Sequence, residues 1–125
     1  MILNLYKPHQ GIKPHVDLLD RFDDLIIGIS LGSSVIMDFE NQIDPFQSER
    51  VYLQNRSCYI LSNQVRFHWF HGIKSNQSFD YIYDPLEESV RKIQRSRTRI
   101  SITIRRLKEG AEVIGDDFNR SSSSS

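Results

Sequence analysis

Short alternating runs dominate this chain, and little of it carries a helical period. Residues 2–6 place Asn4 and Tyr6 on one side and Leu3 and Leu5 on the other, the two-residue period of a strand. Gly11 and Pro14 bound a short extended piece that carries His15 and Asp17. From Leu25 to Leu31 apolar residues run without clear alternation, which predicts a strand covered on both faces. Gly32-Ser33-Ser34 then reads as a turn, with Val35 to Phe39 as the returning half of a hairpin. A polar loop over 41–49 leads to strands at 51–53, 58–61 and 66–71. Residues 75–83 read as a polar loop bearing aromatics. Pro85, with Glu87 and Glu88 behind it, predicts a short helix near 85–96 that turns basic toward its end. The last strand, Arg99 to Arg105, alternates strictly. Strands so short and closely spaced predict an all-β fold, closed or double-sheeted.

Beyond Leu107 the chain becomes acidic and ends in five serines, so residues 109–125 are expected to form a disordered Ser-rich tail. Residues 1–108 are expected to form one domain. Sixteen basic and sixteen acidic residues cancel, so any contact with nucleic acid must be local. The cluster Arg91, Lys92, Arg95 and Arg97 offers one place for it, although a solvated face explains the same residues. Cys58 is the single cysteine and can form no internal disulfide, which fits a reducing compartment. No signal peptide is visible at the start, and no apolar run is long enough to span a bilayer. The expected location is intracellular, cytoplasmic or nuclear, with no membrane partner.

Chemistry enters with His15-Val-Asp17 and His71. Residues two apart in an extended segment point the same way, so His15 and Asp17 can face one target together. Two imidazoles and one carboxylate hold one face of an iron(II) ion and leave other positions open. On the strand that carries His71, residues Phe67, Trp69 and His71 share a side. In the last strand Ile100, Ile102 and Ile104 form one face, and Arg99, Ser101, Thr103 and Arg105 form the other. Two arginine forks on one face suit two-point contacts with a dicarboxylate. Each piece also has a plain structural reading: a chance H-x-D, a core histidine beside Trp69, an amphipathic edge strand. Taken together they describe an iron site with a diacid beside it, the chemistry of 2-oxoglutarate-dependent oxygenases. His9 lies in a turn and His68 points away from His71, so neither is counted as a ligand.

The ordered series Asn4-Leu-Tyr6, Gly11-Ile-Lys-Pro-His15-Val-Asp17, Ile29-Ser-Leu-Gly-Ser33, Met37-Asp-Phe39, Arg66-Phe-His-Trp69-Phe-His71-Gly-Ile73 and Arg99-Ile-Ser-Ile-Thr-Ile-Arg105 resembles the AlkB family of iron(II)/2-oxoglutarate dioxygenases over residues 2–107. Its motifs are most similar to the branch that hydroxylates a modified wobble uridine in tRNA. The resemblance implies a double-stranded β-helix, or jelly-roll, with His15, Asp17 and His71 as metal ligands. Arg99, helped by Tyr6, would pair with the distal carboxylate of 2-oxoglutarate. Arg105 and Asn4 would lie near its metal-proximal end. Ser101 stands where many relatives carry Asn, which shortens its reach. Trp69 is a candidate wall of the substrate pocket.

Family members usually carry a substantial segment before the Asn-x-Tyr strand that forms a lid, whereas three residues precede Asn4 here. The expectation is therefore an oxygenase domain lacking its lid. Nucleic acid, with RNA or tRNA favoured, is the expected substrate. The alternatives are the same oxygenase chemistry on a protein side chain, or a truncated jelly-roll that binds a partner without catalysis.

Overall fold

The computed structural model describes residues 1–110. Its strands are β1 (Ile2–Tyr6), β2 (Ile12–His15), β3 (Phe22–Gly32), β4 (Val35–Asn41), β5 (Ser48–Leu53), β6 (Ser57–Leu61), β7 (Trp69–Ile73), β8 (Phe79–Asp84), β9 (Ser89–Gln94) and β10 (Arg99–Leu107). One short helix, α1 (Asn63–His68), precedes β7. Two four-stranded sheets, ordered β1-β10-β3-β6 and β2-β7-β4-β5, carry the fold, and β8 pairs with β9 as a separate ribbon. Every strand pairing is antiparallel.

Apolar side chains from the two sheets meet in a shared core. Val35, Met37, Leu53 and Ile73 form one buried cluster, while Phe22, Ile26 and Leu61 form another. Phe39 of β4 and Tyr59 of β6 pack against both clusters and so tie the sheets together. This is the jelly-roll expected from the sequence, two antiparallel sheets packed face to face.

Four local expectations are corrected. The run Leu25 to Leu31 and the run Val35 to Phe39 do not form a hairpin: β3 pairs with β10 and β6, whereas β4 pairs with β5 and β7. Gly32, at φ +84°, sends the chain from one sheet into the other, and Asn55 Oδ1 accepts its N–H at 2.8 Å. Nor is β3 covered on both sides among the described residues. Ile26, Gly28 and Ser30 are buried, yet Leu25 on the outer face is exposed, as are Leu3, Leu5, Ile60 and Ile104.

The helix expected near 85–96 is instead the β8–β9 hairpin, which also takes the end of the supposed 75–83 loop. Asp84 Oδ1 accepts the N–H groups of Leu86 (2.9 Å) and Glu87 (3.3 Å), turning the chain where a helix would have begun. Tyr81, Ile82, Tyr83, Val90 and Ile93 then favour the pleated form. At the base of the ribbon, buried Arg95 binds both carboxylate oxygens of buried Asp80 at 2.8 Å and the Pro8 carbonyl at 3.1 Å. Finally, the strand expected over 66–71 is divided, with residues up to His68 in α1 and Trp69 starting β7. The bulk of the expected Ser-rich tail, residues 111–125, lies outside the described residues.

A close crossing fixes β2 against β7. A Cβ at Gly11 would fall 2.1 Å from the Ile73 carbonyl oxygen, and one at Gly72 would fall 2.9 Å from that of Ile12. Backbone cannot yield as a side-chain tip can. Gly11→Ala is expected to cost about 1–3 kcal/mol, the usual cost of forced overpacking. Thermal unfolding measures it, and an unchanged midpoint would refute the close approach.

Candidate metal centre

The crossing of β2 and β7 sets the site. His15 closes β2 and lies directly opposite His71 of β7 in the strand register. Their ring centroids are 4.3 Å apart. Asp17 follows just beyond the end of β2 and turns its carboxylate to the same point. Oδ1 of Asp17 is 3.3 Å from His15 Nε2 and 3.7 Å from His71 Nε2. One ligand atom from each of the three residues lies within 4.8 Å of the others.

Two of the three groups, His71 and Asp17, present lone pairs to a cation without first losing a proton near pH 7. His15 Nδ1 lies 2.9 Å from the Lys13 carbonyl, which can only accept, so Nδ1 carries the proton and Nε2 presents its lone pair when the ring is neutral. Burial, aided by the neighbouring His15, pushes the His71 pKa down to about 4, leaving that imidazole neutral near pH 7. Burial works to raise the Asp17 pKa, but the His15 hydrogen bond and the Arg105 charge outweigh it and lower the net value. The His15 pKa is raised, chiefly by its hydrogen bond to Asp17, against the effect of burial. A neutral imidazole, a carboxylate and a second imidazole aligned by a carbonyl form a donor set that fits iron(II).

The neighbouring wall supplies charge of the opposite sign. Strand β10 sits in its sheet with its polar face inward. Arg99 and Ser101 are buried, Thr103 and Arg105 are half-buried, and Ile104 points outward and is exposed. The amphipathic-edge reading is thereby reversed. Beside them β1 aligns Tyr6 with Arg99 and Asn4 with Ser101. Asn4, Tyr6, Arg99, Ser101, Thr103 and Arg105 line one cavity of about 60 Å³ with His15, Asp17 and His71. That exceeds the roughly 10–15 Å³ a single water needs.

Arg99 Nε donates to Ser30 Oγ at 2.9 Å, and its guanidinium carbon stands 5.5 Å from the Tyr6 ring centroid. Arg105 Nε lies 3.2 Å from Asp17 Oδ2, off the line a hydrogen bond needs. Among the described residues Arg99 Nη2 and Arg105 Nε are therefore buried without a hydrogen-bond partner. A buried guanidinium N–H left open is costly, and a carboxylate is the acceptor that best completes it.

Sequence reasoning missed two residues here. Ser30, fully buried, holds Arg99, and a lone hydroxyl inside an apolar run was the signal for it. Tyr59 lies across from Gly28 in register, where a Cβ would fall 2.0 Å from its ring. The glycine inside an apolar strand was the signal for a ring resting on the backbone. Burial raises the Tyr59 pKa and keeps its phenol protonated as a donor. Trp69 is half-buried, paired with Asn41, and is not brought into the cavity wall.

A jelly-roll holding a His-x-Asp…His cluster beside inward arginines defines the class, the iron(II) oxygenases that consume a 2-oxo acid. The sequence model of the 2OG-Fe(II) oxygenase superfamily matches residues 1–105, and the chain belongs to it; with its relatives, that match makes it a member of the AlkB family. The family uses Fe(II) and 2-oxoglutarate.

The chain is similar to three curated relatives over part of their length. The chain is 41% identical over 107 residues to the uncharacterized protein L905 of Acanthamoeba polyphaga mimivirus, a match covering 86% of this chain and 47% of that protein. It is 34% identical over 117 residues to the tRNA (carboxymethyluridine(34)-5-O)-methyltransferase alkbh8 of Xenopus tropicalis, covering 86% of this chain and 18% of the relative. It is 32% identical over 104 residues to the mitochondrial alpha-ketoglutarate-dependent dioxygenase alkB homolog 7 of Bos taurus, covering 83% and 43%. The chain thus spans less than half the length of these relatives. No helix among the described residues is long and apolar enough to cross a membrane.

Proposed function

We propose that residues 1–108 form an oxygenase that hydroxylates or demethylates a nucleic-acid substrate, with a modified wobble uridine of tRNA as the favoured target. The observation that carries the reading is one cavity lined by three convergent ligand residues and by Arg99 and Arg105, each with a buried N–H that has no hydrogen-bond partner. His15, Asp17 and His71 would hold the iron. Arg99 and Tyr6 would hold the distal carboxylate of 2-oxoglutarate, with Arg105, Asn4 and Ser101 near its other end. When bound, iron and 2-oxoglutarate supply the oxidising power, with dioxygen as oxidant and succinate and carbon dioxide as by-products.

The chain's own part is geometric. The β2–β7 register holds two imidazoles side by side, and the Lys13 carbonyl holds His15 in the tautomer that can ligate. Apolar Ile26, Met37, Leu61 and Ile73 form part of the cavity wall. Support for RNA comes from the named tRNA-modifying relative and from exposed Tyr81 and Tyr83 on the β8–β9 ribbon, which suit base stacking. Such a substrate would place the protein in the cytoplasm or nucleus.

The test is iron-dependent succinate formation with total tRNA, the product read by nucleoside mass. Total tRNA is expected to raise turnover at least severalfold above the uncoupled rate and to yield one oxidised nucleoside. Turnover stimulated by protein extract and indifferent to RNA would move the substrate to a protein side chain. Absence of both bound metal and 2-oxoglutarate decay in folded protein would leave a non-catalytic binding domain.

A further inference from the structure

Arg66 is the largest fully buried side chain among the described residues, only 2% exposed. No carboxylate of the described residues lies within ion-pair distance of it. Its guanidinium is spent on backbone instead. Nη1 donates to the Asp17 carbonyl at 2.9 Å, Nη2 to those of Leu18 (3.1 Å) and Phe22 (2.9 Å), and Nε to that of Asp23 (3.0 Å). All four acceptors belong to the segment that leaves β2 and enters β3.

That segment needs an external hold. β2 ends at His15, so no ladder fixes the backbone of Asp17. Its internal support is one bond, Phe22 N–H to the Leu18 carbonyl at 3.2 Å, and Leu18 and Leu19 are exposed. Arg66 itself stands in α1, which runs directly into β7 and so into His71. One planar fork therefore joins the segment of the carboxylate donor to the element of the buried imidazole.

We infer that Arg66 is a positioning residue: by clamping the Asp17 carbonyl it fixes the Asp17 carboxylate against His71 at the distance a shared cation requires. A guanidinium can do this because its five donors lie in one rigid plane, whereas an ammonium is a point with rotating donors. The inference rests on His15, Asp17 and His71 being the metal ligands.

The experiment uses Co(II) as the probe, read by its visible spectrum and by titration, so that turnover is not required. Arg66→Lys keeps the charge and loses the fork. Its Co(II) affinity is expected to fall about 10- to 100-fold, the usual cost of removing a group that supports a ligand, with a changed d–d spectrum. Arg95→Lys is the control, since Arg95 is equally buried and bonded but clamps the ribbon through Asp80 and Pro8. It is expected to lower thermal stability and leave Co(II) affinity and spectrum unchanged.

A second measurement needs no variant. Metal and clamp must strengthen each other by linkage, so Zn(II) added to the wild type is expected to slow hydrogen exchange at Arg66 Nε–H and not at Arg95 Nε–H. Unchanged exchange at Arg66, wild-type Co(II) binding by folded Arg66→Lys, or an equal loss in Arg95→Lys would overturn the inference. A wild type that binds no Co(II) would overturn the metal site as well.

Discussion

His71→Ala is expected to abolish metal retention and 2-oxoglutarate decay together. His71 is the most enclosed imidazole of the three-residue cluster, and its Nε2 stands 3.7 Å from Asp17 Oδ1. Burial holds its pKa down to about 4, so near pH 7 the ring gives its lone pair without first releasing a proton. Removing it leaves Asp17 and the half-exposed His15, a pair that cannot define one face of an octahedron. The loss in affinity should exceed the ~10–100-fold cost of removing a group that merely supports a ligand. Iron content after desalting and uncoupled 2-oxoglutarate decay are the two readings. His68→Ala serves as the control, because His68 is exposed on α1 and should retain both. Metal retained at the wild-type level by folded His71→Ala would end the proposed ligand set.

Arg99→Met is expected to separate co-substrate binding from metal binding. Arg99 is 5% exposed, its Nε is anchored on Ser30, and its Nη2 is buried without a hydrogen-bond partner. A hydrogen bond to a charged partner contributes about 1.5–3 kcal/mol, so 2-oxoglutarate affinity should fall about 10- to 150-fold. Mn(II) affinity measured without 2-oxoglutarate should stay near wild type, since the Arg99 side chain bonds Ser30 and forms no ion pair with Asp17. Arg105→Met should behave differently, because Arg105 Nε lies 3.2 Å from Asp17 and its charge helps hold that carboxylate ionised. Calorimetry checks that the Arg99→Met protein is folded, because the change also removes the hydrogen-bond partner of buried Ser30. A marked fall in Mn(II) affinity for Arg99→Met would show that the two functions are not divided between the two ends of β10.

Much of the site was legible because strands write their faces into the sequence. Asn4 and Tyr6, and then Arg99, Ser101, Thr103 and Arg105, alternate with aliphatic residues, and these polar residues are the ones of β1 and β10 that line the cavity. The expected helix near 85–96 failed for an identifiable reason. Proline followed by two glutamates suits a helix start, but Asp84 captures the next two free N–H groups as a turn, and the aromatic and β-branched residues flanking it pair. The supposed hairpin across Gly32 failed because a turn specifies reversal and not which sheet receives the returning strand. The division of 66–71 into helix and strand was hidden by the same local ambiguity. With it was hidden the burial of Arg66, which local polarity would have placed in solvent.

The sequence by itself determined which residues alternate, that His15 and Asp17 are neighbours in an extended stretch, and that two arginines share one side of the last strand. A two-residue period gives the faces of a strand without their sign. Only the tertiary structure turned the polar face of β10 inward, because β1 and β3 flank it and the second sheet closes over it. The contact of His15 with His71 is likewise a register between strands far apart in the chain, fixed by the close backbone crossing at Gly11 and Gly72. So is the hold of Arg66 on the Asp17 carbonyl. Such contacts depend on chain closure over long separations, and no local pattern encodes them.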